Sequence, residues 1–87
     1  MKCSELLNDT PVVFKIYSSI FNKKICMDGS VIYVSAHTNE VCVGWMEGYK
    51  YRTDYIPYKD MIAAYDENGE MMSFENIKGK SVLLTAE

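Results

Sequence analysis

The chain has 87 residues, 48% of them hydrophobic, 24% charged and 13% aromatic. That is too apolar for a disordered segment and too short for two cores, so residues 1–87 are read as one small domain. Nine Lys plus Arg against twelve Asp plus Glu give a net charge of −3, which argues against a protein held to nucleic acid by a broad basic field.

Three cysteines, Cys3, Cys26 and Cys42, are odd in number and widely spaced. No C-x-x-C pair is present, and a closed zinc site needs four spaced ligands, so neither a metal site nor a cofactor is expected. A disulfide-stapled scaffold would be denser in cysteine. Reduced thiols in a cytoplasm, two of them buried, are the expectation. The N-terminus carries Glu5 and Asp9 with no signal-like apolar stretch. The longest apolar run, Met61 to Tyr65, is far too short to span a membrane.

In chain order, residues 4–8 suit either a single helical turn or a lead straight into the first strand. Val12 to Ser18 alternates, with Val12, Phe14 and Ile16 on one parity. Lys24 to Cys26 runs into Asp28-Gly29, a hairpin-turn signal. Val31 to Ser35 is the clearest strand, and His37 to Glu40 a tight turn. Val41 to Glu47 places Val41, Val43 and Trp45 on one face, while Gly44 opposite marks a bend or a close backbone approach. After Gly48, Tyr49, Tyr51, Thr53 and Tyr55 alternate with Lys50, Arg52 and Asp54.

The segment at about 57–68 is ambiguous. Tyr58, Met61, Ile62 and Tyr65 match helical spacing behind Pro57. Against a helix, Ile56 cannot cap it, and Asp66 to Gly69 fits a three-residue hairpin loop. Strand is preferred, with Met71 to Phe74 returning; a helix there would make the fold α+β. A short turn within Ser73 to Gly79 and a last strand at Ser81 to Thr85 complete the reading.

Short strands broken at these intervals, rich in Val, Ile and Tyr, make the fold mainly β. The layout is similar in pattern to a small SH3-like, partly open barrel of antiparallel strands. The similarity is architectural only and transfers no functional residue. The expected core is Val12, Phe14, Ile16, Ile32, Val34, Val43, Ile62 and Leu83, with Trp45.

Catalysis has little support. A Cys42–His37 dyad or an Asp54–Asp60 acid–base pair is conceivable. A packed Cys42, a solvated His37 and ordinary surface carboxylates explain these residues better. No phosphate-binding glycine loop occurs. The one concentration of note is Tyr49, Lys50, Tyr51, Arg52, Tyr55, Tyr58 and Lys59. It holds four of seven tyrosines and the only arginine. In a strand one side becomes a tyrosine row and the other a basic row. The tyrosines either fill a small core or form a binding face, for which Tyr and Arg are the favoured anchors. The preferred function is a non-enzymatic cytoplasmic accessory module binding a protein partner. Alternatives are a small barrel stacking single-stranded nucleic acid, and a regulatory subunit or inhibitor of an enzyme.

Overall fold

The computed structural model describes residues 3–74. Six strands form one antiparallel sheet: β1 (Pro11–Ser18), β2 (Lys23–Ser35), β3 (Glu40–Glu47), β4 (Lys50–Pro57), β5 (Met61–Tyr65) and β6 (Met71–Ser73). Their order across the sheet is β4-β3-β2-β1-β5-β6, so among the described residues β4 and β6 are the edges. The mainly β expectation holds. The helix weighed for 57–68 does not form. Tyr58–Asp60 makes one 3₁₀ turn and Met61 enters β5 directly. The reason is visible in the sequence: Pro57 has no side chain to cap a helix, and Met61 to Ala64 are all buried, which one helical stripe would not allow.

Strand β4 approaches β1 across one face of the sheet, and this concave face holds the core. Val12 and Phe14 of β1, Val31 of β2, Val41, Val43 and Trp45 of β3, Ile56 of β4, and Met61 and Ala64 of β5 meet there. Phe74 joins from beyond β6, and the N-terminal 3₁₀ turn, Cys3–Glu5, brings Cys3 and adjacent Leu6 against one end. That N-terminal segment is tied to β2 by Asp9 N–H to the Val31 carbonyl at 2.7 Å and Val31 N–H to the Thr10 carbonyl at 2.9 Å.

Two sequence expectations need correction. Asp28-Gly29 is no turn: it lies inside the thirteen-residue β2, with Asp28 opposite Val13 and Gly29 opposite Val12. The hairpin from β1 to β2 instead turns through 19–22, where Asn22 takes a left-handed φ of 54°. Gly29 is required for contact, because a Cβ there would lie 2.4 Å from the Gly44 carbonyl oxygen and 3.0 Å from the Phe14 ring. Ile32, expected in the core, is only half-buried. The register between β2 and β3 slips there, with Val31 opposite Val43 but Tyr33 opposite Cys42. This bulge lets Val31 and Val34 face the same side, so Val31 takes the place expected of Ile32. Ile16 and Val34 are partly buried against the core. Leu83 and the strand expected at Ser81 to Thr85 lie outside the described residues. At the β5–β6 loop, Gly69 adopts φ 80° and the Asp66 carboxylate accepts the amides of Asn68 and Glu70 at 2.9 and 2.8 Å, as the hairpin reading required.

All three cysteines are free, with Cys3 and Cys42 buried and Cys26 exposed. Burial pushes the Cys3 thiol from its usual 9.0 up to about 12, and raises Cys42 as well. At pH 8 a thiol reagent should therefore label Cys26 promptly, and the other two only as the chain unfolds. The same shift has a sign for stability. The unfolded chain releases the Cys3 proton from about pH 9 while the fold retains it, so this contribution is present below pH 9 and is lost as pH rises toward 12. Equal labelling rates at all three thiols would contradict the burial.

Candidate binding surface around the edge strand β4

The β3–β4 hairpin closes through Gly48 and Tyr49 between the paired Glu47 and Lys50. Gly48 has φ 64°, as the first position of a two-residue type II′ turn demands. Tyr49 thus sits in the turn at the hairpin tip, fully exposed, rather than heading a strand. Lys50 to Tyr55 are all exposed, and only Ile56 reaches the core. The tyrosine row is therefore surface, not core.

On the convex face the pairing sets Tyr55 opposite Cys42, Thr53 opposite Gly44 and Tyr51 opposite Met46. Tyr33 of β2 stands on the other side of Cys42. Tyr33 and Tyr55 meet edge to face, ring centroids 5.9 Å apart, and their hydroxyls are hydrogen-bonded. That hydrogen bond is the main reason the Tyr33 hydroxyl is pushed up to about 12. The Tyr51 ring lies across Gly44, where a Cβ would stand 1.8 Å from Tyr51 Oη and 2.4 Å from its Cζ. Gly44 is thus the seat of a tyrosine ring. Cys42 beneath Tyr33 and Tyr55 is only 6% exposed, so an aromatic layer covers the back of β3. Exposed Met46 extends it.

The opposite face of β4 carries Lys50, Arg52 and Asp54. Arg52 Nε donates to Glu47 Oε1 at 2.7 Å, and Asp54 Oδ1 accepts the backbone amide of Tyr55 at 2.7 Å. A groove of about 560 Å³ opens on this side between β4 and the β1–β2 hairpin. Arg52, Asp54 and Glu47 stand at it together with Trp45, Ile16 and Met27. Trp45 packs edge to face on Phe14 at 5.6 Å and is 8% exposed, as a core tryptophan should be. Its indole N–H has no hydrogen-bond partner among the described residues.

The seven candidate residues thus divide. Tyr51 and Tyr55 share one face; Lys50 and Arg52 lie on the other; Tyr49 caps the hairpin. The tyrosine side and the basic side of β4 therefore face opposite ways, as the alternation of a strand requires. Tyr58 leaves the row altogether. It is half-buried against the core, with its hydroxyl buried and raised in pKa, mainly by burial and then by nearby Cys3. Lys59 is exposed on the 3₁₀ turn beyond β4. Next to it, Asp60 pairs with Lys24 of β2 at 2.7 Å. His37 is exposed in its turn. Among the described residues no group of three His, Cys, Asp or Glu is placed to hold a metal ion, and no helix is long and apolar enough to cross a membrane.

Sequence reasoning missed Tyr33 and Met46 as members of the convex patch. Their outward parity was readable, but only strand pairing shows that they adjoin Tyr55 and Tyr51. Comparison with protein-family models, curated proteins and solved structures finds no match to the chain.

Proposed function

We propose that the chain is a non-enzymatic, cytoplasmic interaction module that binds a protein partner through β4 and the tyrosine layer behind it. The observation that supports this best is the exposed cluster of Tyr33, Tyr51 and Tyr55 from two strands, laid over buried Cys42 and Gly44. Tyrosines on a rigid sheet face offer large contact area at little entropic cost, and such anchors can cost about 2 kcal/mol or more when truncated. An SH3-like architecture for the sheet is part of this proposal. It rests on the short antiparallel strands, the bulges in β2 and β5, and the contact of β4 with β1 across the concave side.

Placement of charge favours protein over single-stranded nucleic acid. A stacking site needs cations flanking its aromatic rings to meet the phosphates. Here Lys50 and Arg52 lie on the reverse of the strand from Tyr51 and Tyr55, and Arg52 is engaged by Glu47. Capture from native lysate, with and without nuclease, tests the reading. The wild type should retain a protein partner after nuclease treatment, and Tyr51→Ala with Arg52→Ala should lose it. Capture abolished by nuclease, or submicromolar binding of a single-stranded oligonucleotide at physiological salt, would overturn it.

A further inference from the structure

The outer edge of β4 carries a pattern of its own. Tyr55 spends its backbone amide on the Asp54 carboxylate, and Pro57, at the end of the strand, has no amide. These are the marks of residues whose backbone points away from β3. With the alternation of an antiparallel pair, Tyr51, Thr53 and Tyr55 are then the outward-facing residues. The edge from Lys50 to Tyr55 is exposed throughout.

We propose that this edge pairs with the same edge of a second copy, antiparallel about a two-fold axis at Thr53. The proposal deepens the reading of β4 as an interaction strand by naming one occupant of it. The register follows from charge. Centring on Thr53 sets Thr53 against Thr53, Arg52 against Asp54 and Tyr51 against Tyr55, each of the last two pairs occurring twice. Centring on Arg52 sets Arg52 against Arg52, on Asp54 sets Asp54 against Asp54, and on Tyr51 sets Lys50 against Arg52. Centring on Tyr55 sets Thr53 against Pro57, which has no amide to give. Like charges directly opposite destabilise a sheet, whereas opposite charges, Thr–Thr and aromatic pairs support it. Thr53 is also an outward-facing residue, so pairs centred there exchange N–H and C=O directly. The Tyr55 amide leaves Asp54 for the Tyr51 carbonyl of the other copy, and the released carboxylate meets the other copy's Arg52. Both exposed edges are satisfied, and the two convex tyrosine layers join into one aromatic platform.

Sedimentation velocity with two charge reversals tests this. The wild type should sediment as a dimer, at twice the 10.0 kDa chain mass. Arg52→Asp and Asp54→Arg should each be monomeric, because each sets like charges opposite in both pairs. An equimolar mixture of the two should recover the dimer mass, since every pair in the mixed dimer is then of opposite sign. Recovery on mixing also excludes misfolding as the cause of the monomers. Should a reversal unfold the chain, amide exchange on the wild type decides: protection of Tyr51, Thr53 and Tyr55 should rise with protein concentration. A wild type monomeric up to millimolar concentration, dimers of each reversal alone, or edge amides indifferent to concentration would overturn the pairing. A monomer that still captures a lysate protein through Tyr51 and Arg52 would sink the pairing alone. A dimer that captures nothing would leave it standing and sink the broader reading.

Discussion

Replacing Phe14 with alanine is expected to lower unfolding free energy by about 4 kcal/mol, the largest effect of any single truncation in this sheet. Phe14 is fully buried in β1, one of the two central strands of the sheet. Its ring meets Trp45 edge to face at 5.6 Å and approaches Gly29 of β2. Removal takes away the transfer energy of a whole ring and leaves a cavity that rigid strands on three sides cannot close. A domain of this size has roughly 4–13 kcal/mol in total. The variant should therefore melt lower by about 20 °C or more, or fail to fold. Thermal denaturation followed by circular dichroism measures this. A shift of only a few degrees would mean that the concave face is not the core.

The second large effect is expected at a residue with no side chain. Gly29→Ala should cost about 3 kcal/mol, because the new methyl meets the Gly44 carbonyl oxygen at 2.4 Å, and backbone cannot move without breaking the β2–β3 pairing. Gly44→Ala is the informative contrast. Its methyl also collides, at 1.8 Å, but with the far end of the exposed Tyr51 side chain, which can swing away. That change should cost about 1 kcal/mol or less, while displacing the ring from the convex patch. Urea unfolding of the two variants side by side separates the cases. Equal costs would mean that the strands do not approach closely at Gly29.

The contrast also shows what could be read from the chain. Period-two alternation located β1, β3 and most of β4. In β1 it marks a buried face, Val12 and Phe14, that a one-residue slip would expose, whereas in Lys50 to Tyr55 of β4 it marks two exposed faces of different side-chain type. The Asp66 to Gly69 loop was legible since its turn chemistry is local. What failed was non-local. Asp28-Gly29 carries a turn signal, yet Gly29 serves the approach of β2 to β3, which no neighbour in sequence reveals. The bulge at Ile32 exchanges Val31 for Ile32 in the core, and both are equally apolar. Seven candidate site residues were drawn from one run of sequence. The sheet keeps Tyr51 and Tyr55 together, adds Tyr33 from another strand, places Arg52 and Lys50 behind them and folds Tyr58 inward.

Binding through β4 requires that its exposed side chains be spare for the fold, and equilibrium urea unfolding of the Tyr51→Ala, Arg52→Ala double variant tests that most directly. Both side chains are more than half exposed, and the single ion pair lost, Arg52 with Glu47, lies in solvent. A cooperative transition is expected, with unfolding free energy within about 1 kcal/mol of the wild type. Loss of the transition, or a drop of several kcal/mol, would assign the tyrosine row to the core and leave β4 no free binding face.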